Sequence, residues 1–377
     1  MDNIIEYSYV TNIAACIILG IVLIFIKTPP HQHNTRYLKA KRFMALAAFL
    51  AAIAASVDLF TGDVNASEVE MLNVITLIDF DVQIIIFTFA MMTLFNSKLV
   101  CRKNIYIVLM PLIALVAAYL IALLFYGDVH IFSHTHYFWA IKHEPALVIR
   151  SLMFIWGLVS LVICIRWFFK ASREFTNTMN NYFDDTKDLH IQWVSYFFYA
   201  SLLLAGLVAV SYIIILPYFD ALSTIGITGL FTVISIHFLN YPQLLKVIYP
   251  ALETAEEVIM SPLISNNIAE KLKKWEKNNN KPYTREGITV GELADEIKEN
   301  KRMVSKYLNT NCNTNFNTWI NTLRIEEAIR LLENNGLPLY EIAERTGFSD
   351  LAKMSNFMKK HTGLSPSEYR KIHHNNP

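Results

Sequence analysis

Two short stretches near the C-terminal end carry the side chains whose types and spacing could do chemistry. Residues 301–310 hold Lys301, Arg302, Ser305 and Lys306 and no acid; residues 351–360 hold Lys353, Asn356, Lys359 and Lys360, again without an acid. Clustered cations neutralise phosphates, and a neighbouring amide or hydroxyl can hydrogen-bond the edges of bases. Either stretch alone would also suit a charged, solvated helix face. From 281 to 377 the net charge is +2, yet the two stretches contribute +3 each, so the remainder is acidic and the cations are concentrated.

Each stretch falls where the second helix of a helix-turn-helix would lie. Leu293, Ala294 and Ile297 give the inward face of a supporting helix, a turn follows at Lys298, and Val304 with Leu308 gives the inward face of the next helix. The arrangement returns with Ile342 and Ala343, a turn at Gly347, then Phe348, Met354 and Met358. Between the two, Phe316, Trp319, Ile320, Leu323, Ala328, Leu331 and Leu332 recur at helical spacing. Matched turns, cores and cation placement argue against a merely solvated face in both units.

The run Phe316-x-x-Trp319-Ile-Asn-x-x-Arg324-Ile-x-x-Ala328-x-x-Leu331-Leu, then Glu341-Ile-Ala-x-x-x-Gly347-Phe-Ser-Asp, then Phe357-x-Lys359-Lys-x-x-Gly363-x-Ser365-Pro-x-x-Tyr369-Arg, resembles the AraC/XylS family of transcription regulators. The resemblance implies a seven-helix domain whose two recognition helices enter successive major-groove faces of double-stranded DNA. It puts DNA contacts at Arg302, Ser305 and Lys306 in the first unit, and at Leu351, Lys353, Ser355 and Asn356 in the second. The chain departs from the family pattern where Asn356 replaces a common arginine and Leu351 a usually polar residue. Asn309-Thr-Asn-Cys-Asn also lacks the Lys-Lys and Gly often found there. Asparagine can still read adenine in a bidentate way, so the departure bears on sequence preference.

The rest of the chain is of another kind. Hydrophobic residues make up 54% and charged ones 17%, with mean hydropathy +0.33. Seven stretches approach the length needed to cross a bilayer: 8–26, 43–60, 71–95, 105–126, 146–169, 193–216 and 221–239. Asp2 and Glu6 precede the first, without the basic region of a cleaved leader. Basic residues gather in alternate connections, such as Lys27, Arg36, Lys39, Lys41 and Arg42 in the first and Lys170, Arg173 and Lys187 in the fifth. That bias puts the N-terminus outside and the C-terminus in the cytoplasm. Ala47, Ala51 and Ala55 form a small-residue seam suited to helix packing.

Charged groups inside spans are costly and face a bundle interior or a watery cavity. Asp58, Asp79, Gln83 and Arg150 are therefore expected to line an outward-opening ligand site, with Asp81 pointing elsewhere; a structural ion pair or a shifted span boundary is the plainer alternative. His130, His134, His136 and His143 occupy one outer connection, where His134 and His136 on an extended segment could share a metal ion. A histidine-rich loop without metal is the reading adopted, and His237 is read as a packed polar residue. The four cysteines lack paired spacing, and no P-loop, G-x-S-x-G or H-E-x-x-H run occurs. Neither a metal, a cofactor nor an enzymatic activity is expected.

The expected architecture is all-α: a seven-span bundle over 1–240, a helical linker over 241–280 cut by Pro242, Pro250 and Pro262, and a double helix-turn-helix domain over 281–377. Within the linker, the segment between Pro250 and Pro262 and residues 263–277 could pair protomers, pack on the C-terminal domain or lie on the membrane. With the resemblance, this implies a regulator in a bacterial inner membrane. Its expected partners are operator DNA, the lipid bilayer, RNA polymerase, a second copy of the chain and a signal ligand. A transporter or membrane enzyme with an appended regulatory domain is one alternative. A regulator that is only anchored, without sensing, is the other.

Overall fold

The computed structural model describes residues 2–26, 35–61, 70–95, 98–127, 129–131, 133–185, 192–211, 217–254, 262–334 and 336–374. The chain divides into two compact units, one comprising Met1–Phe175 and Ile191–Leu245, the other Thr176–His190 and Lys246–Pro377. Among the described residues both are helical, apart from one isolated bridge between Phe183 and Thr289.

The first unit is built on α1 (Asp2–Phe25), α2 (Thr35–Thr61), α3 (Val74–Leu94), α4 (Arg102–Tyr126), the short α5 (His134–Ala140), α6 (Pro145–Asn180), α7 (Gln192–Ser211) and α8 (Pro217–Thr254); α6 and α8 run on into the second. Seven of these, all but α5, are long and apolar enough to cross a membrane. Leu124, Phe125 and Leu203 are more than two-thirds exposed, an outward apolar surface that suits a lipid rather than an aqueous solvent. Consecutive α1, α2 and α3 pack closely, and the seam Ala47, Ala51 and Ala55 is buried as its spacing predicts. Polar ties stitch α8 to its neighbours: Asn12 Nδ2 to Thr228 Oγ1 at 2.7 Å, Tyr37 hydroxyl to the Phe238 carbonyl at 2.7 Å, and Tyr241 hydroxyl to the Leu94 carbonyl at 3.2 Å. His237 bonds the Val233 carbonyl through Nδ1 and lies against Trp193 and Phe197, a packed polar side chain.

Two expectations need correction. Pro242 and Pro250 do not break the chain into pieces, because α8 runs from Pro217 through both to Thr254. A proline deletes one backbone hydrogen bond, and a long helix with its other bonds intact can continue past it. His134 and His136 lie within the short helix α5, so this stretch is neither the loop adopted for it nor the extended segment of the metal alternative. Residues 255–261, including Val258 and Ile259, lie outside the described residues.

In the second unit α9 (Pro262–Glu276), α10 (Val290–Glu296), α11 (Lys301–Thr310), α12 (Phe316–Asn334), α13 (Leu339–Arg345), α14 (Leu351–Thr362) and α15 (Pro366–His374) follow one another. Helix α9 packs against the first helix-turn-helix through buried Ile268, Leu272 and Trp275. The Trp275 indole stacks on Trp319 and donates to Glu296 at 2.6 Å, while Lys271 pairs with Glu299. For residues 263–277, packing on the C-terminal helices, one of the alternatives open to them, is present. Central α12 buries Phe316, Ile320, Ala328 and Leu332 between the two helix-turn-helix units, and Ile342, Ala343, Phe348, Met354 and Met358 complete the second core.

Candidate nucleic-acid interface

The two helix-turn-helix units are built by the same local rules. In the first, Thr289 and Glu292 form a capping box that starts α10. The turn closes with the Glu299 amide on the Ala294 carbonyl at 2.8 Å, passing through Lys298 at φ 53°. Asn300 then caps α11, its side chain accepting from the Arg302 amide at 2.8 Å. In the second, the Phe348 amide reaches the Ala343 carbonyl at 2.9 Å through Gly347 at φ 83°, and Asp350 caps α14 by accepting from the Lys353 amide at 2.6 Å. Gly347 tolerates no side chain, since a Cβ would overlap the Thr284 carbonyl. The closing motif has a matching explanation. Gly363 ends α14 in the left-handed region, Ser365 and Glu368 cap α15 reciprocally, and Arg370 donates to the Leu337 carbonyl at 2.6 Å.

The recognition helices present most of the expected side chains outward. Lys301, Arg302 and Lys306 are partly exposed on α11; Leu351, Asn356, Lys359 and Lys360 are exposed on α14, and Ser355 is half-buried. Two expectations fail. Ser305 is 8% exposed, on the core side of α11 with Val304 and Leu308. Lys353 is 5% exposed, its ammonium 2.8 Å from the Asp185 carboxylate and 3.2 Å from the Asp184 carbonyl. Burial pushes the Lys353 ammonium below its ordinary value, against the opposing pull of Asp185.

Sequence reasoning missed the group that holds the two helix-turn-helix units together. Arg324, wholly buried in α12, donates to the Tyr283 carbonyl at 2.7 Å and the Arg285 carbonyl at 2.6 Å, and pairs with Asp184 at 2.7 Å. Asp184 in turn accepts from the Gly287 amide at 3.2 Å, and its carbonyl accepts from Asn317 and Asn321 at 2.6 and 3.0 Å. The available signal was two adjacent acids following two aromatics in the basic connection after the fifth span.

The polar residues of the spans separate into three sites. Asp58, Asp79 and Gln83 line one cavity of about 180 Å³, whose wall includes Ser201, Ser223 and Thr224. Gln83 Nε2 bridges Asp79 Oδ1 at 3.1 Å and the Ala47 carbonyl at 3.0 Å. Asp81 points away, accepting from Ser160 at 3.2 Å. Arg150 does not join the cavity: it is 1% exposed, 2.6 Å from Glu70 and 3.1 Å from the Tyr119 hydroxyl. An isolated buried guanidinium is expensive, and Glu70, a residue that spacing alone does not single out, answers it. Among the described residues no cluster of His, Cys, Asp and Glu could hold a metal ion.

Residues 293–372 match the family model described as a helix-turn-helix domain. The Msm operon regulatory protein of Streptococcus mutans is 29% identical over 89 residues, covering 24% of this chain and 32% of the relative. The uncharacterized HTH-type transcriptional regulator YisR of Bacillus subtilis is 30% identical over 90 residues, covering 24% and 31%. The match thus spans about a third of these relatives' own length. Among solved structures, the C-terminal domain of AraT, a response regulator from Geobacillus stearothermophilus, is 24% identical with a TM-score of 0.25, covering 30% of this chain and 88% of that one. The C-terminal part of the chain, over residues 293–372, is a helix-turn-helix domain of the AraC type.

Proposed function

We propose that this chain is a membrane-bound transcription regulator that binds double-stranded DNA through α11 and α14. The observation that carries the reading is the pair of matched turns, each followed by a helix whose outward side chains include cations or amides and no acid. Phosphate neutralisation by Arg302, Lys306, Lys359 and Lys360 supplies affinity, and Asn356 supplies base contacts. Both named relatives are called regulators. Genome-wide mapping of DNA bound by the tagged full-length protein tests the reading; a bound profile no different from an untagged control would overturn it.

The N-terminus lies outside and the C-terminal domain in the cytoplasm of a bacterial inner membrane. Support comes from the alternating basic connections and from residues 176–190, which belong to the same compact unit as the C-terminal helices. Two spans separate those segments in sequence, so both emerge on one side.

The bundle senses a ligand in the cavity that Asp58, Asp79 and Gln83 line. Two carboxylates among apolar walls suit an apolar molecule bearing a cationic or hydrogen-bond-donating group. Exchanging the membrane-crossing helices for those of an unrelated multi-span anchor while keeping residues 176–190, which belong to the C-terminal unit, tests sensing, and unchanged regulation would reduce the bundle to an anchor.

A further inference from the structure

One short segment, Tyr182 to Asp185, touches the N-terminal ends of both recognition helices. It enters directly from the end of α6. Asp184 is its anchor, fixed by the fully buried Arg324, the Gly287 amide, and the Asn317 and Asn321 side chains. On one side of the anchor, the Lys301 ammonium, at the first residue of α11, stands 6.0 Å from the Tyr182 ring centroid. The Tyr182 carbonyl accepts from the Val290 amide at 2.8 Å, and its hydroxyl lies so close to Gly291 that a Cβ there would collide with it. On the other side, Asp185 Oδ2 receives the Lys353 ammonium and the Ser349 hydroxyl, each at 2.8 Å.

Those contacts differ in kind. Asp184, its side chain 3% exposed, satisfies groups inside the frame. Asp185, 17% exposed, satisfies groups at the first turn of α14. The N-terminus of a helix favours an anion. In a helix-turn-helix, the N-terminal residues of the second helix are the ones that meet the groove. Asp350 already caps the N-terminus of α14, and the Asp185 carboxylate takes up the Lys353 ammonium and the Ser349 hydroxyl, groups of the kind that bond a phosphate oxygen.

We propose that the surface joining the N-terminal ends of α11 and α14 is a docking site for the chain's own segment 182–185, and that Asp185 competes with DNA phosphate for Lys353 and Ser349. Asp184 remains as the anchor while Asp185 is the exchangeable contact. The segment is continuous with α6, one of the helices long and apolar enough to cross a membrane, so displacement of the end of α6 acts on the second recognition helix through a few bonds of backbone. The inference rests on the DNA-binding reading above.

The test uses the full-length protein in detergent, as wild type, Asp185→Ala and Asp185→Asn. Binding of fluorescent random-sequence duplex DNA is titrated against salt, and acylation of Lys353 by an amine reagent is followed by mass spectrometry, with exposed Lys359 and Lys360 as references. Both variants are expected to bind about tenfold tighter, within the usual range of coupling between sites. Their salt slope should steepen by about 0.9 as one more phosphate contact forms, and Lys353 should become reactive. Lys353 reacting as fast as Lys359 in the wild type would overturn the docking. Protection of Lys353 that is relieved in the variants without any gain in DNA affinity would overturn the competition. Absence of DNA binding by all three proteins would overturn the DNA reading itself and the competition with it, while the acylation rates would still decide the docking.

Discussion

Arg324 and Asp184 form an ion pair at 2.7 Å in which the side chains are 0% and 3% exposed, although 139 intervening residues separate them in sequence. Two carbonyls and Asn321 complete the guanidinium's hydrogen bonds, so this buried charge is matched on every side. Arg324→Met removes the donor and leaves Asp184 as a buried unpaired carboxylate, a loss of about 3–5 kcal/mol. Thermal unfolding of the full chain, read from the fluorescence of stacked Trp275 and Trp319, should show the C-terminal unit melting early. An unshifted transition would refute the assignment.

Glu70 and Arg150 pose the same problem in the first unit, with side chains 5% and 2% exposed. Either Glu70→Ala or Arg150→Ala should destabilise the detergent-solubilised protein by about 3–5 kcal/mol, whereas Glu70→Gln combined with Arg150→Met should cost less than the sum. Additive losses would show that the pair does not act as a unit. A ligand role for Arg150 would instead show as lost response at unchanged stability.

The two turns place different residues in the left-handed region, Lys298 in the first and Gly347 in the second, and that difference can be read energetically. Gly347→Ala puts a side chain at positive φ and into the Thr284 carbonyl, a cost of about 1–3 kcal/mol from backbone strain with the overlap added. Lys298 already sits at φ 53° in the corresponding place. Lys298→Gly should therefore be neutral or stabilising by up to about 1 kcal/mol. Differential scanning calorimetry of the two variants gives opposite signs if the turns are built as described.

Removing DNA-facing cations should act on affinity and not on fold. Arg302→Ala together with Lys306→Ala is expected to weaken operator binding and lower the salt slope by about 1.8, because two phosphates are no longer neutralised. Unaltered slopes would remove α11 from the interface.

Glu327 supplies a pH dependence with a definite sign. Burial alone would raise its carboxyl, but hydrogen bonds from Arg330 and Lys281 outweigh burial and hold it below its ordinary value. A depressed carboxyl contributes stability that is fully present above the ordinary glutamate range and is lost as the pH falls through the depressed value. Both cations are more than a third exposed, so the contribution is about 1 kcal/mol or less. Glu327→Gln should flatten that part of the acid limb of a stability–pH curve; an identical limb would refute the sign.

The helical architecture is legible in the sequence because burial has a period. Leu293, Val304, Met354 and Ala51 all face inward where spacing predicts, and each of the seven apolar stretches overlaps a helix among the described residues. What spacing does not reveal is partnership. Hydropathy groups Arg150 with Asp58 and Asp79 as one more polar residue in a span, yet it answers Glu70, which lies outside the spans. Helical phase gives Lys353 the look of an outward cation, because phase alone does not show that a distant acid has reached it. Pro242 and Pro250 read as breaks only when taken locally, since a proline's cost is settled by the whole helix that contains it.

The placement of Asp184 has a practical meaning for anyone trimming the chain. The C-terminal helices are contiguous in sequence, but the counter-ion of their most buried cation is encoded far upstream, before two hydrophobic helices. Residues 281–377 expressed alone would leave Arg324 with carbonyls and one amide oxygen but no anion. Such a fragment is expected to gain thermal stability from added sulfate, or from a graft of residues 180–185 onto its N-terminal end through a flexible spacer.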